Sequence, residues 1–281
     1  MRRIRLDDGR TLTMEDRGLA YGSPVLLLHP APGSRLLDPD PWSTAGSRAW
    51  LLTYDRPGYG GSTPLPEGSV PTLLGYADDA AAVLEQLRSG PVGVVGWSTG
   101  GLVALALAVR HPDLVSAVAM VGTPAPGDEV SPMPPEQKAM VESLRPELAT
   151  ATSTLATALA PMAESYQSVL EMLSSGPADE AVRTGSVSGP ALRNMAREAV
   201  RQGAVGLASD IVAATVAPWG FEPAQVEAPV TLFYGEQDEL VTPVHGAWWD
   251  EELPRSALNV VSGAGHLLPL VAWKQVLAAV V

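Results

Sequence analysis

Gly96-Trp97-Ser98-Thr99-Gly100 sets a single hydroxyl between glycines, and Gly101 follows directly. The run before it, PVGVVG at 91–96, is apolar and strand-like. The run after it carries Leu102, Leu105, Ala106 and Val109 at helical spacing. A strand that turns straight into a helix forces the corner residue into a sparsely populated backbone conformation, and side chains beside it would meet the neighbouring strand. The chemical gain is a serine hydroxyl held at a helix N-terminus, where free N–H groups and the helix dipole favour negative charge. G-x-S-x-G alone is also an ordinary way to fill a tight turn. Its strand–helix setting is what points to a nucleophile.

A serine nucleophile needs a base, and the chain has 4 histidines. His111, in VRHPDL, stands at a helix end and suits capping. His245, in TPVHGAWW, falls in a first helical turn and suits a surface position. His29 closes the apolar run VLLLH. His266, in VSGAGHLLP, lies on a glycine-rich loop between the last strand and the last helix, which fits a base best. An acid is expected between serine and histidine in chain order. Asp238 in LFYGEQDELVTP follows a strand ending at Tyr234, where a carboxylate can reach the imidazole; by itself it would read as a turn residue or helix cap. Asp128 and Glu129, beyond the strand ending near Val121, are the alternative acids.

The elements that must position these groups alternate. IRLDDGRTLTMED reads as a hairpin with Asp8-Gly9 at its turn. Continuous apolar runs follow at 24–29, 49–55, 91–96 and 115–122, as expected of parallel strands covered on both faces. Between them, Leu74, Ala77, Ala81, Leu84 and Leu87 form a helical stripe ending at Gly90. Strand–helix alternation predicts a parallel sheet with right-handed crossovers. From about Thr123 to Glu222 no strand is predicted. Pro starts a helix in PPEQKAMVESLRPEL, and Leu148, Ala151, Leu155, Leu159 and Met162 share one face. SYQSVLEML and GPALRNMAREAVRQG are also read as helical. The strand–helix rhythm returns with VTLFYG (230–235), a helix near 243–252, ALNVVSG (257–263) and a last helix.

Composition narrows the function classes. The 281 residues carry a formal charge of −13, which argues against a nucleic-acid partner and against docking on an anionic membrane. No apolar run reaches the ~18 residues of a membrane span, and the basic start meets Asp7 and Asp8 without the apolar core of a signal peptide. With no cysteine there is no disulfide, thiolate nucleophile or Cys-based zinc site. The expectation is a cytoplasmic protein acting on a small molecule, with no cofactor or metal. Its oligomeric state is open.

Five segments in order, HPAPGS (29–34), DRPGYGGS (55–62), GWSTGG (96–101), GEQDELVTP (235–243) and GAGH (263–266), make the chain resemble a capped α/β-hydrolase-fold serine hydrolase over nearly its whole length. The resemblance implies a mostly parallel central sheet flanked by helices, with core residues 1–123 and 223–281 and an inserted helical cap at 124–222. It implies Ser98 as nucleophile, His266 as general base and Asp238 as the residue that orients it. His29 is then structural, and Asp55 and Arg56 anchor loops near the site. The family usually has His-Gly where this chain has His29-Pro30, while the following PGS resembles the esterase and proline-iminopeptidase branches.

That departure bears on the oxyanion hole, which needs two backbone N–H donors. Thr99, after the nucleophile, supplies one. Pro30 and Pro32 have no N–H, so Ala31 is the expected second donor, with Gly33 or Ser34 as the alternative. The expected reaction is hydrolysis of a small to medium apolar ester, lactone, thioester or amide through an acyl-enzyme. The same fold also supports lyases, cyclases and ligand binders. Met133, Met140, Met162, Met172 and Met195 fall in the helical block. These, with Trp97 and Trp219 at its junctions, are candidates for substrate contact or for plain packing.

Overall fold

The computed structural model describes residues 1–87, 90–126, 130 and 134–281. The strands are β1 (Arg2–Arg5), β2 (Thr11–Gly18), β3 (Ser23–Leu28), β4 (Ala49–Tyr54), β5 (Val92–Trp97), β6 (Val115–Val121), β7 (Val230–Gly235) and β8 (Ser256–Val261). They form one 8-stranded sheet in the order β1-β2-β4-β3-β5-β6-β7-β8. The β1–β2 hairpin and the β2–β4 pair are antiparallel; every pair from β4 onward is parallel. The predicted runs become strands because their continuous apolar stretches are covered on both faces: β5 is buried along its whole length. β8, at the sheet edge, is largely exposed instead.

Helices α1 (Pro41–Gly46), α2 (Leu73–Leu87) and α3 (Thr99–Arg110) lie among the first six strands. In α2 the buried face is wider than the predicted stripe and turned toward Leu73, Tyr76, Ala80 and Val83, leaving Leu74 and Leu87 at the rim. Helix α3 is buried at every position from Gly100 to Ala108, on all sides rather than along one stripe. It is wedged between the sheet and α2, so a polar face has nowhere to point.

Between β6 and β7 the described residues hold α4 (Pro135–Leu144), α5 (Leu148–Leu159), α6 (Tyr166–Met172), α7 (Gly176–Thr184), α8 (Ser188–Ala199) and α9 (Val205–Ile211). A single π-helical turn at Val212–Val216 extends α9. Helix α7 was not among the predicted helices; its one buried residue is an aspartate, so it has no apolar stripe to find. The chain closes with α10 (Pro243–Glu252) and α11 (Pro269–Ala278).

The inserted helices do not form a separate hydrophobic unit. Val169 and Leu170 of α6, and Leu192 and Met195 of α8, share one core cluster with Val25, Leu27, Val95, Trp97 and Trp273. Only α4, α5 and α9 have a small cluster of their own, around Ala151, Leu155, Ala208 and Val212. Charge completes the attachment. Arg56 and Asp210 are fully buried and paired, with Nη2 to Oδ2 at 2.6 Å and Nε to Oδ1 at 3.0 Å. Tyr59 Oη also donates to Asp210 Oδ2 at 2.8 Å.

Removing one member of a buried ion pair leaves the other charge uncompensated. Asp210→Asn is therefore expected to destabilise the fold by about 3–5 kcal/mol, read as a lower urea midpoint. An unchanged midpoint would show that Arg56 does not need its partner.

Candidate active site

The corner between β5 and α3 is built as a site of close approach. Ser98 has φ 54° and ψ −126°, a left-handed conformation rare for a residue with a Cβ. The surroundings enforce it. A Cβ on Gly96 would strike the backbone of Gly100 and Gly101, and one on Gly100 would strike the Leu28 carbonyl at the end of β3. The Ser98 N–H donates to the Val121 carbonyl at 2.8 Å, tying the corner to the end of β6. Ser98 is half-buried and begins the N-terminal end of α3.

His266 comes to this corner from the far edge of the sheet. Its Nδ1 lies 2.8 Å from Asp238 Oδ2, and both side chains are buried. Asp238 Oδ1 accepts the N–H groups of Leu240 and Val241 at 2.9 and 2.8 Å, so the carboxylate is fixed on its own turn. An ionised carboxylate accepts only, which puts the imidazole proton on Nδ1 and leaves the Nε2 lone pair free. Gly122, next after the Val121 that holds Ser98, has φ 54° and lies against the ring: a Cβ there would sit 3.2 Å from His266 Cε1 and Nδ1. Trp97 Nε1 donates to the His266 carbonyl at 3.1 Å. Ser98, His266 and Asp238 thus converge at the C-terminal ends of β5, β6 and β7. The Ser98 hydroxyl and His266 Nε2 make no hydrogen bond to each other. Asp128 and Glu129 lie outside the described residues.

The other predicted residues sort by what they touch. The N–H groups of Ala31 and Thr99 make no hydrogen bond among the described residues. Thr99 opens α3, so its N–H is one of the groups a helix leaves unpaired. The carbonyl of Pro30, by contrast, is fully engaged by Arg56 Nη2 at 3.0 Å and His29 Nδ1 at 2.7 Å. Trp97, a candidate substrate contact, has no exposed surface; its ring is core and its N–H serves the His266 carbonyl. Trp219 is partly buried. It is stacked between Phe221 and Trp249, with centroids 5.9 and 5.8 Å away, and its N–H goes to the Ala214 carbonyl. The cleft it borders, with Pro126, Trp248 and Glu252, contains none of Ser98, Asp238 and His266.

Among the methionines, Met162 and Met172 line a narrow apolar cleft with Pro32, Tyr59, Ala204 and Leu207. Met195 is core, Met140 is exposed, and Met133 lies outside the described residues. His111 ends α3 and holds Asp78 at 2.7 Å. His245 is buried rather than on the surface, and its Nδ1 accepts the Ala125 N–H. Sequence reasoning missed the buried carboxylates Asp79, Asp179 and Asp210, which receive their donors from segments far away in the chain. Among the described residues no group of three or more His, Asp or Glu side chains is placed to hold a metal ion. Nor is any helix among them long and apolar enough to cross a membrane.

A half-buried serine at a left-handed strand–helix corner, beside an aspartate-held histidine on an eight-stranded, mostly parallel sheet, defines the class of protein. The sequence matches the alpha/beta hydrolase fold family across residues 23–272, and the chain belongs to that family. It is a hydrolase. It is 30% identical over 233 residues, covering 82% of this chain and 81% of the relative, to a pimeloyl-[acyl-carrier protein] methyl ester esterase of Chromobacterium violaceum. The same-named protein of Aromatoleum aromaticum is 31% identical over 80% of this chain and 83% of its own. Of solved structures, a thermophilic esterase from Thermogutta terrifontis superposes with a TM-score of 0.69 at 24% identity, covering 99% of this chain and 95% of that one. At that identity the likeness speaks for the fold.

His29 supplies a pH prediction. Its ring is fully buried, accepts the Arg56 N–H at Nε2 and donates from Nδ1 to the Pro30 carbonyl. Burial, then the Arg56 charge, push its pKa well below the ordinary 6.5. The unfolded chain binds a proton below that pH while the folded protein does not, so acidification favours unfolding. Unfolding free energy should fall by up to about 1.4 kcal/mol per pH unit on this account below pH 6.5. Denaturant midpoints at pH 7.5 and 5.5 read the effect, and His29→Gln should flatten it. Equal wild-type stability at both pH values would contradict a neutral buried His29.

Proposed function

We propose that the protein is a carboxylic-ester hydrolase in which Ser98 is the nucleophile, His266 the general base and Asp238 its orienting anion. The observation that carries this reading is the 2.8 Å Asp238–His266 contact beside a serine held at φ 54°. As Ser98 Oγ attacks the acyl carbon, His266 Nε2 takes its proton, and the carbonyl electrons move to oxygen. The free N–H groups of Thr99 and Ala31 would receive that oxyanion. Collapse breaks the C–O bond, and the alcohol leaves with the proton from His266. A water, deprotonated by His266, then attacks the acyl-enzyme to release the acid and restore Ser98. The relatives named as methyl ester esterases support an ester over an amide, lactone or thioester.

Residues 124–222 act as a cap in this reading. The apolar cleft between Pro32, beside Ala31, and Met162, Met172 and Leu207 of the inserted helices has a volume of about 10 Å³, room for one water, and includes none of Ser98, Asp238 and His266. In this reading an acyl chain enters it only as those helices part. Its lining is apolar, which favours an uncharged chain of small to medium length.

Ser98→Ala and His266→Ala should each lower kcat on a generic short-chain ester by about 10⁴-fold or more with the fold intact, and Asp238→Asn by a comparable factor. Labelling by a fluorophosphonate should vanish in Ser98→Ala. Near-wild-type turnover in either alanine variant sinks the assignment.

Ala163 borders the same cleft and is only half-buried. Ala163→Phe should cut kcat/KM for a longer-chain ester by about tenfold or more while sparing an acetyl ester, a difference of ~1.4 kcal/mol. Equal loss on both esters would remove the cleft from substrate recognition.

A further inference from the structure

Asp179 is the one buried residue of α7, a helix of the inserted segment, and it has no solvent exposure. Among the described residues its carboxylate pairs with no cation. Oδ1 accepts the main-chain N–H of Leu267 at 2.8 Å; Oδ2 accepts those of His266 at 3.1 Å and Ser175 at 3.0 Å. The turn that carries the imidazole therefore hangs on a side chain from a distant part of the chain. Gly265 is fitted to the contact, since a Cβ there would run into the Asp179 carboxylate. On the opposite side, Trp97 Nε1 holds the His266 carbonyl at 3.1 Å.

We propose that Asp179 is a positioning residue for His266, setting the main chain of the base as Asp238 sets its ring, so that alignment of the base depends on α7 being docked. The inference rests on the catalytic reading above. Two buried N–H groups of the His266–Leu267 turn need acceptors, and Asp179 is the acceptor of both. Without it the turn must shift to find others. A displacement near 1 Å at a catalytic group costs about a hundredfold in rate. An asparagine is a poor substitute, because its NH₂ faces an N–H where an acceptor is required.

The experiment compares Asp179→Asn with Gly265→Ala, which crowds the carboxylate away while keeping its charge. Asp79→Asn is the control; it loosens the remote pairing of Arg10 with Asp79, at 2.7 and 2.8 Å, and so lowers stability elsewhere. On a short-chain ester, Asp179→Asn and Gly265→Ala should each lower kcat by about a hundredfold with KM within about twofold. Fluorophosphonate labelling of Ser98 should slow by a similar factor. Asp79→Asn should lose Tm but keep kcat. The proposal is overturned if Asp179→Asn keeps wild-type kcat, if its loss lies in KM alone, or if activity merely follows Tm across all three variants. Should Asp179→Asn fail to fold, a normal kcat in Gly265→Ala overturns it. Turnover surviving in Ser98→Ala would bring down the catalytic reading and this inference together. An inactive Ser98→Ala beside a normal Asp179→Asn removes this inference alone.

Discussion

The structure turns on one unfavourable backbone conformation, that of Ser98 at φ 54° and ψ −126°. Holding a residue with a Cβ there costs of order 1–3 kcal/mol, so its surroundings must leave no alternative. Here they do so by crowding. Gly96 and Gly100 have no room for a Cβ, the Ser98 N–H is taken by Val121, and α3 behind the corner is buried on all sides. Relaxing the corner would mean moving a helix out of the centre of the larger core cluster. The sheet serves the same end. Parallel β5, β6, β7 and β8 bring their C-terminal ends side by side, and residues 98, 238 and 266 lie on the loops that follow β5, β7 and β8.

The inserted helices are attached to the sheet by anionic and polar side chains as much as by apolar ones. Asp210 meets Arg56, Glu198 meets Arg35 at 2.6 Å, and Asp179 meets the His266–Leu267 turn. Gln202 adds its amide, donating to the carbonyls of Tyr59, Gly60 and Ser62. In a chain with 31 acidic and 18 basic residues, carboxylates drawn inward must each be matched by a donor, because an unpaired buried charge is costly. The matching makes the docking directional. Apolar contact alone would let α7, α8 and α9 slide, whereas these bonds fix their register on the loops around Ser98 and His266.

The loop after β3 is held by buried polar groups although it carries two prolines. Pro30 follows His29 directly, and its carbonyl is held from two sides by Arg56 and His29. Arg56 is in turn held by Asp210. A chain of buried charge and hydrogen bonds thus runs from an inserted helix, through the DRPG turn, to the segment that presents Ala31. Proline removes a donor from this loop but also a rotatable bond, and the bonds to its carbonyl restrict what remains.

The amino-acid sequence by itself determined the local features. The apolar runs became β3 to β6 within a residue or so at each end, the glycines marked the corner at Ser98, and chain order offered Asp238 and His266 as partners. These are legible because each depends on neighbours within a few positions, through strand burial, turn chemistry and the missing Cβ. Tertiary structure decided the direction of every side chain whose partner is far away. Trp97 and Trp219 read as substrate contacts or plain packing. Trp97 proved to be core, and Trp219 stands in an aromatic stack beside a cleft that holds none of Ser98, Asp238 and His266. His245 read as surface and proved buried. Asp179 and Asp210 carry no signal in their own segments, since nothing in the neighbouring residues marks a carboxylate for burial. Only the packing of α7 and α9 against the sheet takes their water away and supplies the His266, Leu267 and Arg56 donors instead.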